Sequence, residues 1–185
     1  MTAAVSNEVR RLNWGCGPKP DPGWINSDVK QGPGIDVTCD IREGLPLESE
    51  SIDYAVSIHA LQELTYYEIV PALEELRRVL KPGGVLRLAL PDAALGIRAY
   101  VDGEADYFLV PDTDAGTIGG KFCVQLTWYG HSRSLFTRDF IDELLTRAGF
   151  ETTVACDYQE TASSFPEITT RDNRKGESLF VEAFK

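Results

Sequence analysis

The chain has 185 residues, one domain's worth with room for a sizeable core, and its 43% hydrophobic and 25% charged content is that of a water-exposed globular protein. A formal net charge of −11, with no basic cluster larger than Arg77, Arg78 and Lys81, excludes the phosphate-facing cation surface that a nucleic-acid partner requires. No apolar run approaches the length of a membrane span, and Met1–Glu8 lacks the basic and apolar regions of a signal peptide, so the expectation is a cytoplasmic protein with no membrane partner.

In chain order, the first predicted strand is Arg11–Trp14, which runs into the turn Gly15-Cys16-Gly17. Glycines there let a ligand press against bare backbone. Pro18, Pro20 and Pro22 prevent a helix from starting, and Pro20 stands where a dinucleotide fingerprint has its third glycine. Without a helix N-terminus, a pyrophosphate loses its main electrostatic partner, so a nucleoside cofactor without phosphate fits better. A second strand, Trp24–Val29, carries Asp28 at its end, placed to accept two hydrogen bonds from a ribose diol. Short apolar runs predict strands at Asp36–Thr38 and Tyr54–Ile58.

A helix follows over Thr65–Leu80, with Leu73, Leu76, Val79 and Leu80 on its apolar face and Pro82-Gly83-Gly84 ending it. Pro71 either kinks this helix or starts it as a first-turn proline. A fifth strand spans Val85–Leu90. The section from Gly103 to Ser134 is the least regular of the chain. An insertion of that length on the carboxyl side of a sheet reads as a substrate cap, here at about 103–134. Thr137 then reads as the N-cap of a helix with Phe140, Ile141, Leu144, Leu145 and Ala148 buried and Gly149 closing it. Strands at Thr152–Tyr158 and Leu179–Phe184 flank a second irregular section, which carries Arg171 and Arg174, either anion contacts or an ordinary solvated pair. Strands alternating with helices make an α/β domain over residues 1–185. The four cysteines, Cys16, Cys39, Cys123 and Cys156, form no Cys-x-x-Cys pair and have only two histidines to complement them, so no metal site is expected.

Four segments carry a family resemblance: Leu12–Gly17; Gly23-Trp-Ile-Asn-Ser-Asp28; Asp36-Val-Thr-Cys-Asp40 with Leu45-Pro-Leu and Ser51-Ile-Asp-Tyr; and Leu76-Arg-Arg-Val-Leu-Lys-Pro-Gly-Gly84. In these the chain resembles the class I S-adenosylmethionine-dependent methyltransferases, in particular small bacterial members with a Leu-Asn-x-Gly-Cys-Gly first motif. The resemblance implies a three-layer Rossmann-like fold, its sheet seven-stranded and mostly parallel with an antiparallel C-terminal strand. It implies S-adenosyl-L-methionine as cofactor, with Gly15, Cys16 and Gly17 against the methionine part and ribose, Asp28 on the ribose hydroxyls, and Asp40 and Ile41 at the adenine. Ser57, Ile58 and His59 are expected under the methionine part. Asn13 stands where many relatives carry an acid. Relatives also often read His-x-Leu-Glu-His after the fourth strand, whereas this chain reads His59-Ala-Leu-Gln62-Glu63-Leu64.

Methyl transfer to an oxygen asks for a proton acceptor, and His59 and His131 are the only imidazoles. Asp92, just past the fifth strand, is a third candidate, either orienting an acceptor or a metal, or capping the following helix. Trp128, Tyr129 and His131 in the cap are the candidate substrate contacts, the two aromatic rings offering stacking surface. The resemblance favours a small-molecule acceptor, a hydroxyl of a saccharide or secondary metabolite. A nitrogen acceptor on a metabolite or protein, or a non-catalytic domain that binds the cofactor for regulation, are the alternatives. Closed twofold assemblies are the commonest oligomers, which makes a homodimer the oligomeric state to test.

Overall fold

The computed structural model describes residues 8–185; the N-terminal reading of Met1 to Asn7 lies outside the described residues. Seven strands form one sheet: β1 (Arg11–Trp14), β2 (Ile25–Asp28), β3 (Val37–Thr38), β4 (Ile52–Ile58), β5 (Leu80–Pro91), β6 (Thr152–Cys156) and β7 (Ser178–Phe184). Their spatial order is β3-β2-β1-β4-β5-β7-β6. β7 runs antiparallel to both its neighbours, and the pairs from β3 across to β5 are all parallel. The order reverses at β1 and β4, and ligands of open α/β sheets bind over the carboxyl ends of strands at such a reversal.

The helix α1 (Tyr66–Val79) begins five residues before Pro71, so that proline lies inside it. Glu68 closes the first turn by accepting from the Thr65 N–H at 2.8 Å, which fixes the start upstream of the proline. Pro71 forfeits one rung, and burial of Ile69, Ala72, Leu73, Leu76 and Val79 offsets it. α1 ends at Val79, and Leu80 is already extended. β5 therefore starts earlier than the sequence suggests, because Leu80 pairs with Ile52 before the Gly83-Gly84 bend.

Of two further helices, the first was expected only as the helix that Asp92 would cap and the second was not predicted. α2 (Ala93–Asp102) is capped by Asp92, whose Oδ1 accepts from the Ala94 N–H at 2.8 Å, and it closes on Gly103 in a left-handed conformation. α3 (Ile118–Thr127) lies within the section read as irregular, capped by the Thr117 hydroxyl on the Gly120 N–H at 3.0 Å. α3 has no fully buried residue, so it lacks the core-facing stripe that betrays a helix. α4 (Arg138–Arg147) follows, with Ile141, Leu144 and Leu145 buried. Thr137 stands at its N-cap, but its hydroxyl donates to Asp139 instead of accepting from the backbone.

The main core lies between the sheet and α1 and α4, around Leu12, Leu73, Leu76, Leu86, Leu88, Ile141 and Leu145. The opposite face has a smaller cluster, Trp24, Tyr54, Val56 and Val85, covered by Phe165 and Ile168 from the β6–β7 connection. Arg87 of β5, fully buried, ties that connection down through Asp172 and Glu182.

Candidate functional site

β1 delivers the chain into the turn Gly15-Cys16-Gly17 with φ of 66° and 60° at the two glycines. A Cβ on Gly15 would stand 2.3 Å from the Cβ of Ala60, so only glycine fits where the turn meets the loop after β4. At Gly17 a Cβ would meet nothing within 4 Å, so its face is open to a ligand. Asp28 pins the turn: Oδ2 accepts from the Gly17 N–H at 2.8 Å and Oδ1 from the Lys30 N–H at 2.9 Å. Each oxygen thus keeps a second acceptor position.

These residues line a groove of about 1230 Å³ across the carboxyl ends of β1, β2 and β4. Asn13, Gly15, Cys16, Gly17, Asp28, Asp40, Ile41, Ile58 and His59 all line it. Asn13 is 3% exposed and its amide donates to Asn26 Oδ1 at 3.1 Å, so the group that replaces the relatives' acid is spent inside the sheet. Asp40 caps the short 3-10 turn Ile41–Glu43 and is held by Arg42, whose side chain also holds its carboxyl below the ordinary carboxylate range. Burial first, then the Asp28 carboxylate, pushes the Cys16 thiol up, so it stays a neutral wall atom. Arg171 closes the groove's outer side by donating to Asp21 Oδ2 at 3.1 Å and to the Lys19 carbonyl at 2.8 Å.

Two expected contacts fall outside. Ser57 is fully buried and lines neither this groove nor the neighbouring chamber, because strand alternation turns it into the core while Ile58 faces the groove. Tyr129 likewise lines neither; it is 51% exposed and its hydroxyl donates to Asp114 Oδ2 at 2.7 Å on the outer surface. Trp128 and Tyr129 both have left-handed backbone, and their rings meet edge to face with centroids 5.7 Å apart, the Trp128 ring lining the neighbouring chamber and Tyr129 lying outside it.

A second cavity of about 140 Å³ abuts the groove, and His59, Glu63, His131 and Arg174 line both. Its apolar wall comes from Pro91, Phe108, Phe122, Leu126, Trp128 and Leu135, so α2, α3 and the turn after them form its roof. Asp92, Glu63, Glu177, Tyr107 and Gln62 supply its polar surface. Arg174 pairs with Glu177 at 3.1 Å and lies 5.6 Å above the Trp128 ring. Asp92, already bonded to the Ala94 N–H, reaches the chamber as well.

His59 has a positive φ of 53°, and its ring Nε2 is 2.7 Å from the Ser178 hydroxyl. Burial, with the positive charge of Arg174 adding, pushes its pKa down to about 3. Its imidazole is neutral at physiological pH and weakly basic. His131 is exposed at the junction of groove and chamber.

Sequence reasoning singled out Asp92, His131 and Trp128 of the chamber but missed Tyr107, Phe122, Leu126 and Glu177. No local motif marks them, since they come from separate segments that meet only when β7 returns beside β5 and the Asp92 N–H bonds the Glu177 carbonyl at 2.9 Å. Among the described residues no group of three or more His, Cys, Asp or Glu side chains stands where it could hold a metal ion. No helix among them is long and apolar enough to cross a membrane.

Comparison with known proteins places residues 16–88 in a family described as Methyltransferase domain. A search of curated proteins returned no match. Similar solved structures include a SAM-dependent methyltransferase from Thermotoga maritima, with TM-score 0.59 and 20% identity over 98% of this chain and 84% of that one. Another, from Archaeoglobus fulgidus, has TM-score 0.58 and 14% identity over 96% and 86%. An S-adenosylmethionine-dependent methyltransferase from Mesorhizobium loti has TM-score 0.55 and 17% identity over 96% and 91%. At these identities the likeness is one of fold, and the matched family segment starts within the glycine turn, at Cys16, and includes Asp28, Asp40 and His59.

Proposed function

We propose that this chain is a class I S-adenosylmethionine-dependent methyltransferase and that it methylates a hydroxyl oxygen of a small, single-ring polar acceptor, a saccharide or a secondary metabolite. The observation that carries this reading is the junction: a groove with ample room for a nucleoside and a ring-sized chamber share His59, Glu63, His131 and Arg174 as a common wall. For scale, an apolar cavity of about 150 Å³ holds one benzene ring, close to the chamber's volume of about 140 Å³.

S-adenosylmethionine, when bound, supplies an electrophilic methyl group on a sulfonium. Bare backbone at Gly15 and Gly17 and the second lone pairs of Asp28 fit its uncharged ribose and methionine chain, and no helix N-terminus asks for phosphate. In this reading Asp28 takes the ribose diol, and Asp40 and Ile41 take the adenine. Gly15, Cys16, Ile58 and His59 take the methionine part. Asp92 orients the acceptor from the chamber floor and Trp128 gives it a stacking face. His131, at the junction, takes the hydroxyl proton, and His59 holds the β4 loop as a neutral donor or acceptor to Ser178. Alignment of this kind contributes several kcal/mol to the barrier reduction, about 7–11 at its upper range.

The experiment is turnover of purified protein with S-adenosylmethionine over a panel of monosaccharides and hydroxylated single-ring compounds, read by product mass. His131→Ala should lower kcat/KM on a hydroxyl acceptor by about 10²–10⁴ while leaving S-adenosylhomocysteine affinity unchanged. Full activity in that variant would remove His131 as the base. A nitrogen acceptor is the second reading, favoured by the chamber's three carboxylates, Glu63, Asp92 and Glu177, against one guanidinium, Arg174. Methylation of amines but not hydroxyls, indifferent to His131, would select it.

A further inference from the structure

We propose that the chamber is a cation site, and that the acceptor it takes is a single-ring molecule carrying a protonated amine. The inference rests on reading this chamber as the acceptor site. It adds what the oxygen or nitrogen question leaves open, the charge and hydrogen-bonding character of the molecule that enters.

Two independent observations carry it. The first is Gln62, 6% exposed and part of the chamber lining. Its amide nitrogen donates to the His59 carbonyl at 2.6 Å, which fixes which end of the amide is oxygen. Its backbone carbonyl accepts from both Arg133 and Ser134, so the residue is held at both ends. The side-chain oxygen that remains has no hydrogen-bond partner. A buried acceptor left so costs about 1–3 kcal/mol, which a ligand N–H or O–H would recover.

The second observation is charge. Glu63, Asp92 and Glu177 line the chamber against one guanidinium, Arg174, and the His131 imidazole at its junction with the groove, and Arg174 is already shared between Glu177 and the Trp128 ring. Gln125 and Tyr107 on the same wall add no cation. Gln125 spends its side-chain oxygen on the Leu109 N–H at 2.6 Å, and Tyr107 presents a hydroxyl. The Tyr107 phenol registers the surplus, pushed up to about 12 by burial first and then by Glu177 and Asp92. Acceptor atoms without matching donors select a donor-rich, positively charged ligand, and the apolar wall of Phe108, Phe122, Leu126 and Leu135 limits its body to one ring. A neutral hydroxylated ring could still donate to Gln62 but would leave the carboxylates' charge unanswered, and the discrimination follows from that.

The test uses three probes of one shape and different charge: benzylamine, benzyl alcohol and benzoate. Each is titrated calorimetrically at pH 7 into the full chain with saturating S-adenosylhomocysteine. Benzylamine, protonated at that pH, should bind at least about tenfold tighter than benzyl alcohol, and benzoate should not bind. Asp92→Asn keeps the helix cap, since asparagine caps as well as aspartate, and should cut the benzylamine preference to about threefold or less. Equal or tighter binding of benzyl alcohol, measurable binding of benzoate, no binding of benzylamine, or a preference untouched by Asp92→Asn would each overturn the proposal. Leu126→Trp fills the chamber and should abolish benzylamine binding; persistence of binding would place the cation elsewhere and sink the inference. If methyl transfer to hydroxylated rings survived Leu126→Trp while benzylamine binding was lost, the cation site would stand and the acceptor-site reading would fail.

Discussion

Replacing Arg87 with methionine removes the one Arg or Lys that is buried among the described residues. All five guanidinium N–H groups are used: Nε on Asp172 Oδ1 at 2.8 Å, Nη2 on Asp172 Oδ2 at 2.6 Å and the Asp157 carbonyl at 3.2 Å, Nη1 on Glu182 Oε1 at 2.8 Å and the Glu160 carbonyl at 2.9 Å. Arg87, Asp172 and Glu182 have side chains with no exposure at all. Arg87→Met fills most of the volume but strands two carboxylates in the interior, at a cost of about 3–5 kcal/mol. With a urea slope of about 2 kcal/mol/M for a chain of this size, the midpoint should fall by about 2 M. Asp172 lies between Arg171 and Asn173, both groove residues, so S-adenosylhomocysteine affinity should fall as well. The triple variant Arg87→Met/Asp172→Asn/Glu182→Gln removes both stranded charges. It keeps an amide oxygen for Gln159 N and another for Ala162 N, turns an amide N–H toward the Thr161 hydroxyl, which can accept, and should recover more than half of the loss. A loss below about 1 kcal/mol for Arg87→Met, or no recovery in the triple variant, would refute the assignment of the cost to unpaired charge.

Asp28→Asn keeps one oxygen but loses the charge and one of the two backbone bonds, and calorimetry should show S-adenosylhomocysteine binding weakened about 10- to 100-fold. His59 has a folded-state pKa near 3 against an ordinary 6.5. A depressed imidazole contributes stability above 6.5 that is lost as pH falls toward 3, because the unfolded chain takes the proton first. Urea midpoints of the wild type should therefore fall across that window, and His59→Gln should flatten the part due to this residue. Gly15→Ala meets both the Ala60 Cβ and a left-handed φ, so thermal denaturation should show a marked drop; Gly15→Ala/Ala60→Gly should restore only part of it, since the backbone strain remains.

Much of the fold follows from local pattern. Apolar runs ending in glycine and acid mark β1 and β2, and the stripes of α1 and α4 mark helices that bury one face on the sheet. The helices α2 and α3 escape this logic. Gly96 interrupts one and Gly119-Gly120 opens the other, and their apolar residues, Phe122 and Leu126 among them, line a cavity instead of a core. Pro71 misleads for a related reason: tertiary burial of α1 outweighs the lost rung. In the groove, Gly15, Gly17 and Asp28 are legible because turn geometry and strand ends are local. Ser57 is misjudged because one step along a strand reverses the face, and register is fixed by pairing with β1 and β5.

The sequence by itself determined the glycine turn, the acid eleven residues beyond it and the lack of a helix start beside them, since backbone freedom and helix initiation are properties of adjacent residues. The acceptor side belongs to the tertiary structure alone. Gln62, Asp92, Tyr107, Phe122 and Glu177 meet because β7 inserts antiparallel beside β5 and draws Glu177 to Asp92. Contacts between such distant positions depend on sheet order, and their charge balance and the unpartnered amide oxygen exist only once those strands are paired.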